Sequence, residues 1–321
     1  MALNRTTSAI CTLFEGSYHV GVATLINSVS KHGFKGSVFV GYKGSLPEWC
    51  SVATSDASLG WVGAKTLILN ANLSVHFLPV TVSYQLTNYK PVFMLELFAG
   101  PCLDVDQIAY FDPDIVVKSR WDFFKTWMTH GVALVHEIVN NDMPPTHPIR
   151  MEWAKVASLC NRTVERDLSS YINAGFFGVS KNCIDFLELF RDIIEVAKKN
   201  YHFEDSVFQM NTDRSDIFYA HDQDALNIAA MCCRCPISEM GPEAMDFTNG
   251  GFTMAHAVGS PKPWAKKFIS SALKGIPPTM AEKVFWENVS GPITIYTASR
   301  IRITSISIKI AGFIGRFYKR N

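Results

Sequence analysis

The sequence predicts an α/β protein in which a mostly parallel central sheet is flanked by helices on both faces. Three observations support this prediction. Short runs rich in Ile, Val and Phe alternate with segments of helical periodicity, which is the order that a parallel sheet requires. Apolar residues make up 48% of the chain and charged residues 18%, which suits broad buried surfaces. A length of 321 residues is sufficient for one large domain with a sizeable core.

The strands are predicted from apolar runs and the helices from apolar residues spaced three and four apart. Strands are expected at residues 9–15, 37–42, 65–69, 73–79, 108–111, 132–135 and 174–180. Helices are expected at residues 21–29, 91–98, 183–199 and 222–231, with Pro91 in a first-turn position. Because no Gly/Pro-rich linker divides the chain, we expect one domain over residues 1–290, followed by a tail over residues 291–321.

A pair of aspartates follows the buried strand predicted at residues 108–111. Since Pro113 cannot donate a ladder hydrogen bond, the strand should end at Phe111. Asp112 and Asp114 would then lie at its carboxyl end, where open α/β sheets place ligand sites. Two carboxylates this close repel each other unless a cation such as Mn²⁺ or Mg²⁺ lies between them. On this motif alone, a solvated turn and an aspartate-nucleophile phosphatase remain alternatives.

A second polar pattern, YINAG, enters the strand predicted at residues 174–180. Asn173 can hydrogen-bond a polar ligand, and Gly175, after Ala174, allows a close approach of the backbone. Taken alone, the asparagine also fits a turn residue before a strand.

Two further patterns, HDQDALN and HAVGSPKPW, lie downstream. In the first, Asp222 and Gln223 either cap a helix or form the wall of a site. In the second, His256 can bind a metal, Gly259 lets backbone N–H groups approach a phosphate, and Lys262 supplies a positive charge. By composition alone, the second segment also fits a proline-rich surface loop.

Taken together, these segments resemble glycosyltransferase family 8, which contains glycogenin and bacterial lipopolysaccharide galactosyltransferases. The DPD turn, the NAG strand, the DQD helix start and the HxxGxxKPW loop occur in the order of that family. The resemblance runs from Ala9 to about Trp264. It is specific because all four motifs occur together and in this order. It implies a GT-A fold and a metal-dependent hexosyltransferase that uses a UDP-sugar donor and retains the anomeric configuration.

The resemblance also implies roles for individual residues. The implied ligands of Mn²⁺ or Mg²⁺ are Asp112, Asp114 and His256. The implied donor-binding residues are Glu15, Ser17, Tyr18, Lys90, Asn173, Ala174, Gly175, Gly259 and Lys262, with Tyr18 stacked on the base. Asp222 and Gln223 would lie at the donor sugar, with Gln223 near the anomeric carbon, and they are the candidate catalytic residues.

Two positions depart from the family pattern. Lys90 occupies the place of a family arginine that contacts the donor, and an ammonium lacks the planar fork of a guanidinium. Glu137 is the nearest candidate for an acidic residue that the family has at the sugar.

Positive charge is concentrated in the tail. Six basic residues and no acidic ones follow Glu287: Arg300, Arg302, Lys309, Arg316, Lys319 and Arg320. The chain before them is therefore net acidic, which argues against nucleic-acid binding. The tail mixes these charges with Ile, Phe and Tyr, which predicts binding to a membrane surface. A final strand and helix packed on the body is the alternative.

The location is predicted from the cysteines and from apolar run lengths. Eight cysteines are scattered through the chain, as expected of free thiols in a reducing compartment. We expect no signal peptide, and no apolar run reaches the ~18 residues that a membrane span requires. The prediction is a cytoplasmic protein, peripheral at the inner face of a membrane.

The predicted activity is transfer of a hexose from a UDP-sugar to a hydroxyl of a saccharide or lipid-linked acceptor. A double displacement would need a carboxylate nucleophile under the sugar ring. Gln223 is an amide and a poor nucleophile, so a front-face substitution is favoured, with Asp222 as the rival nucleophile. The alternative from another class is a non-catalytic protein that binds nucleotide-sugars or glycans.

Overall fold

The computed structural model describes residues 7–138, 142–206 and 213–318. The strands are β1 (Ser8–Glu15), β2 (Gly36–Lys43), β3 (Thr54–Ser55), β4 (Lys65–Asn70), β5 (Leu73–Pro79), β6 (Gln107–Phe111), β7 (Ile115–Val117), β8 (Val132–His136), β9 (Ile172–Ser180), β10 (Ile237–Met240) and β11 (Met254–His256). The helices are α1 (His19–Lys31), α2 (Leu86–Ala99), α3 (Trp121–Thr129), α4 (Pro148–Leu159), α5 (Ile184–Asn200), α6 (His221–Cys232), α7 (Phe268–Leu273), α8 (Met280–Glu287) and α9 (Ala298–Ile314).

The main sheet of the described residues has the strand order β10-β8-β9-β6-β1-β2-β5-β4-β3. All of its strands except β9 and β4 run in the same direction. This confirms the predicted α/β fold with a mostly parallel sheet. The antiparallel strand β9 lies between β6 and β8, beside the turn that carries the two aspartates.

Both faces of the sheet are covered by helices, and strand β1 shows why. Its side chains alternate between the two faces, as the strand period of two requires. Cys11 and Leu13 pack in a core that includes residues of α2, α5 and α6. Ile10 and Phe14 pack in a second core with residues of α1 and α3.

The turn after β6 is fixed by a second, small sheet. Strand β6 ends at Phe111 as predicted, and the Ile115 N–H donates to the Asp112 carbonyl over 3.0 Å. Strand β7 then pairs antiparallel with β11, with Ile115 opposite His256. This register places the HAVGSPKPW segment directly beside the DPD turn.

Helix α2 differs from its prediction. It begins at Leu86, so Pro91 lies inside the helix rather than in its first turn, and the predicted start was wrong. Leu86 and Tyr89 are buried in the core, so tertiary packing outweighs the usual preference of proline for a helix start. Lys90 consequently projects from a packed helix and not from a loop.

The C-terminal segment is tied to the body of the protein. The Asn27 side chain in α1 donates to the carbonyls of Asn288 and Ile293 and accepts from the Ile293 N–H. Further on, Ile308 and Ala311 of α9 are buried in a core shared with α7 and α8. The domain boundary after residue 290 stays a prediction. In the described part of the chain, no helix is both long enough and apolar enough to span a membrane.

Candidate functional site

Three predicted metal ligands converge at the carboxyl end of β6. Asp112 and Asp114 lie in the turn that follows this strand, and His256 is the last residue of β11. Ligand atoms of the three side chains all lie within 4.8 Å of one another. The Nε2 atom of His256 is 3.3 Å from Oδ1 of Asp114, and both residues are buried.

The chemistry of this cluster fits a divalent cation. Two carboxylates and an imidazole are ligands that Mn²⁺ and Mg²⁺ sites in proteins use. The second ring nitrogen of His256, Nδ1, is buried and has no hydrogen-bond partner among the described residues. Proteins rarely leave a buried polar atom unpaired without a functional reason.

A glycine makes room for the imidazole. A Cβ atom placed on Gly175 would lie 2.4 Å from Cε1 and 2.9 Å from Nδ1 of His256. The sequence predicted that Gly175 permits a close approach, and the group that approaches it is the His256 ring. The backbone also reaches the aspartate turn, because the Asp112 N–H donates to the Gly175 carbonyl over 2.7 Å.

Asp114 lies between two side chains that lower its pKa, His256 and Lys262. Burial would raise its pKa, but the charges and hydrogen bonds of His256 and Lys262 outweigh burial and place the pKa well below its ordinary value. The Lys262 ammonium donates to Oδ2 of Asp114 and, over 3.3 Å, to the Ala257 carbonyl. Lys262, a predicted donor-binding residue, therefore lies at the cluster of candidate metal ligands.

Lys90 lies on the other side of the cluster and is 2% exposed. Its Nζ atom is 2.8 Å from Oδ2 of Asp222, 3.2 Å from Oδ1 of Asp112 and 3.0 Å from the Ala174 carbonyl. Burial would lower the pKa of Lys90, but the two carboxylates outweigh it and raise the pKa above its ordinary value. The ammonium thus connects the turn that carries Asp112 with the start of α6.

The NAG segment lies within strand β9 and is held by several hydrogen bonds. Asn173 donates to Oε2 of Glu137 over 2.6 Å and accepts from the Gly175 N–H over 2.8 Å. The Ala174 N–H donates to Oε1 of Gln223 over 3.0 Å. The structure therefore brings Gln223, Asp222 and the NAG segment together, with Glu137 beside Asn173.

The predicted base-binding turn meets the KPW segment. Glu15 ends β1 and is exposed, and Ser17 and Tyr18 follow in a short 3₁₀ turn. The Tyr18 ring lies 5.4 Å from the Trp264 ring, edge to face, and the Trp264 indole N–H donates to Ser17 Oγ over 3.4 Å. Lys262 lies 5.9 Å from the centre of the Tyr18 ring.

Gly259 is needed for its backbone conformation. Its φ angle is +84°, a region that residues with a Cβ atom rarely adopt, and no atom would crowd a Cβ there. The turn that it makes separates His256 from Lys262, so that both side chains reach Asp114.

Two residues of the site were not identified from the sequence. Tyr110 donates to Oδ1 of Asp112 over 2.9 Å, and its place two residues earlier in β6, on the same face, is a signal that could have found it. Gly21 of α1 contacts the turn so closely that a Cβ atom would lie 2.1 Å from the Pro113 carbonyl oxygen. A single helical glycine carries no comparable signal.

The comparison with solved structures finds this fold in glycosyltransferases. A bifunctional glycosyltransferase, WbbM, matches with a TM-score of 0.56 and 14% identity over 95% of this chain and 53% of its own. The glycosyltransferase GlyE of Streptococcus pneumoniae TIGR4 matches with a TM-score of 0.51 and 13% identity, over 95% of this chain and 64% of its own. A galactosyltransferase, LgtC, solved with donor and acceptor sugar analogs, matches with a TM-score of 0.51 and 16% identity. The match covers 92% of this chain and 99% of LgtC.

The chain therefore spans less than two thirds of the length of WbbM and of GlyE, and almost the whole of LgtC. No family model and no curated protein matches the sequence. The fold itself is shared over more than nine tenths of this chain in all three comparisons. The protein has the GT-A fold of these glycosyltransferases.

Proposed function

We propose that this protein is a metal-dependent glycosyltransferase that moves a hexose from a UDP-sugar to a hydroxyl of a saccharide or lipid-linked acceptor. The observation that supports this proposal is the convergence of Asp112, Asp114 and His256 within 4.8 Å, at the strand end where α/β folds bind ligands. A shared fold alone would not support an activity. The alternative is a protein that binds nucleotide-sugars or glycans without catalysis.

The residues around the cluster suit a diphosphate. A divalent cation bound at such a site would act as a Lewis acid and stabilise the departing diphosphate. Lys262 would add a positive charge to the same oxygens, and the turn at Gly259 would let backbone N–H groups approach them. Tyr18, which is exposed beside Trp264, would stack on the uracil ring.

The sugar would lie against the start of α6. The Asp222 carboxylate accepts a hydrogen bond from Lys90, and the side-chain amide oxygen of Gln223 accepts one from the Ala174 N–H. An amide held in this way is a poor nucleophile, which favours a front-face substitution with retention. In that reaction the departing phosphate oxygen takes the proton of the acceptor hydroxyl. Asp222 remains the candidate nucleophile of a double displacement.

The test is the release of UDP from a panel of UDP-hexoses, with Mn²⁺, with Mg²⁺ and with EDTA. Release that requires the cation and increases with an acceptor saccharide supports the proposal. Mn²⁺-dependent binding of UDP without turnover of any donor would support the binding protein instead. Hydrolysis of p-nitrophenyl phosphate, with no release of UDP, would support the phosphatase.

Replacing Gln223 with alanine is expected to lower kcat by about tenfold, or ~1.4 kcal/mol, because the side chain orients the sugar without forming a bond to it. The measurement is UDP release together with the anomeric configuration of the product by NMR. A loss of several orders of magnitude would assign Gln223 an essential chemical role. A β-linked product from an α-linked donor would exclude retention.

We also propose that α9 binds the surface of an anionic membrane. One face of the helix packs on the body through Ile308 and Ala311. The opposite side exposes an apolar stripe at helical spacing, continued just past its end: Ile303, Ile306, Ile310, Phe313 and Phe317. Exposed basic residues directly precede three of these positions: Arg302, Lys309 and Arg316. Apolar residues beside basic ones are typical of helices that lie in a lipid interface.

Vesicle co-sedimentation tests this placement. We expect the protein to sediment with vesicles that contain phosphatidylserine, less so at high salt, and not with pure phosphatidylcholine. Replacing Ile306, Ile310 and Phe313 with serine should abolish binding, because the stripe loses its apolar surface. The matched control replaces two exposed apolar residues elsewhere, Val62 and Ile68, with serine. Equal binding by the stripe variant and the control would contradict the placement.

A further inference from the structure

We propose that Lys90 is a positioning residue that fixes Asp112, Asp222 and strand β9 relative to one another and makes no contact with the donor. This inference rests on the proposed function, since it concerns the geometry of the metal and sugar ends of the same site. It differs from the expectation that Lys90 replaces a donor-binding arginine. In this inference, one buried ammonium group sets the distances between the metal end and the sugar end of the site.

The first argument is that the ammonium has no hydrogen left for a ligand. A lysine ammonium donates three hydrogen bonds. Here three acceptors surround Nζ: Oδ2 of Asp222 at 2.8 Å, the Ala174 carbonyl at 3.0 Å and Oδ1 of Asp112 at 3.2 Å. A donor sugar could bind Lys90 only by displacing one of these acceptors.

The second argument is burial. Lys90 is 2% exposed, and its Nζ lies 5.2 Å from the centre of the Tyr110 ring, so that a sugar hydroxyl has no open approach. Lys262 provides the contrast within the same site. It lies on a loop, its side chain is 19% exposed, and it bonds one carboxylate and one carbonyl. Lys262 thus has a free donor for a ligand, whereas Lys90 has none.

The third argument concerns what the ammonium holds in place. Both Lys90 and the Tyr110 hydroxyl engage Oδ1 of Asp112, which leaves the other oxygen for a cation. The same ammonium holds Asp222 at the sugar end and the Ala174 carbonyl of β9. Residues that orient a metal ligand in this way typically change metal affinity by 10- to 100-fold when they are replaced.

The decisive variant is Lys90→Arg, because it keeps the positive charge and changes the shape and hydrogen-bonding geometry of the group that carries it. A planar guanidinium cannot direct three bonds at the acceptors that surround one tetrahedral nitrogen. We expect Lys90→Arg to weaken Mn²⁺ binding, followed by the electron paramagnetic resonance of free Mn²⁺, by about tenfold. The loss should be the same in the presence of UDP and of UDP-glucose. If Lys90 instead contacted the donor sugar, the substitution would leave the Mn²⁺ affinity measured with UDP unchanged. That result would overturn the proposal.

The control is Lys266→Arg, which makes the same change at another buried pair, Lys266 with Glu282. It should leave Mn²⁺ binding unchanged. If Lys90→Arg does not fold, Tyr110→Phe decides, because it removes only the hydroxyl bonded to Oδ1 of Asp112. We expect that variant to weaken Mn²⁺ binding about threefold, and unchanged binding would overturn the proposal. Absence of Mn²⁺ binding by the unmodified protein with UDP would instead refute the proposed function.

Discussion

Replacing Asp114 with asparagine is expected to lower Mn²⁺-dependent release of UDP by about 1000-fold, or ~4 kcal/mol in activation free energy. Asp114 is 3% exposed, and its carboxylate faces His256 and Lys262. An amide keeps the shape of the side chain but removes the negative charge that attracts a divalent cation. Mn²⁺ binding measured directly in the presence of UDP should weaken by about 100-fold, the upper end of the range for residues that only orient a ligand.

The control is Asp104→Asn, which removes an exposed carboxylate close to the opposite end of β6 and should change neither quantity. Asparagine at position 114 leaves a part-buried lysine without its ionised partner, so thermal unfolding must be followed by circular dichroism. A folded Asp114→Asn variant that binds Mn²⁺ as tightly as the unmodified protein would refute the metal assignment.

The sequence predicted the central part of the fold because its signals there are local. The apolar run before the DPD turn and the proline within that turn were sufficient to place the end of β6 at Phe111. The same holds for β5, an alternating segment whose predicted bounds, 73–79, are those observed. Where packing decides, the local signals failed. Helix α2 extends five residues before Pro91 because Leu86 and Tyr89 are buried in the core.

Helix α9 is a second element that local sequence signals do not predict. Its sequence, ASRIRITSISIKIAGFI, is rich in β-branched residues, which favour strands. It is helical in the structure, and its Ile308 and Ala311 pack on α7 and α8. The alternative to a membrane-binding tail was a final strand and helix packed on the body. The helix of that alternative is present, whereas the described residues of the tail form no strand.

In the candidate site, the motif order identified residues but not their contacts. The position of His256 beside Asp114 depends on the pairing of β7 with β11, two three-residue strands too short to predict. The three bonds of Lys90 depend on the rotation of α2, which only the packed structure fixes. Residue types in a motif thus predict the kind of chemistry, whereas spatial neighbours distinguish a ligand-binding lysine from a buried one.

A second large effect is expected at a residue that has no side chain. Gly175→Ala should weaken Mn²⁺ binding by about 10- to 100-fold, because the new Cβ atom would lie 2.4 Å from Cε1 of His256. Two carbon atoms of separate side chains do not approach this closely, so the ring or the strand must move. The Gly175 carbonyl accepts the Asp112 N–H, and movement of the strand would therefore disturb a second ligand.

Gly178→Ala is the matched control for that variant. It adds the same methyl group to the same strand, where the Cβ atom would lie 2.7 Å from Cγ of Met128, a side chain of α3 and not a candidate metal ligand. Both variants should lower the free energy of unfolding by about 1–3 kcal/mol, measured in urea, but only Gly175→Ala should weaken Mn²⁺ binding. Because the methyl group acts through the imidazole, Gly175→Ala should cost little further affinity in a His256→Ala background. Full additivity of the two changes would show that the glycine acts through the strand and not through His256.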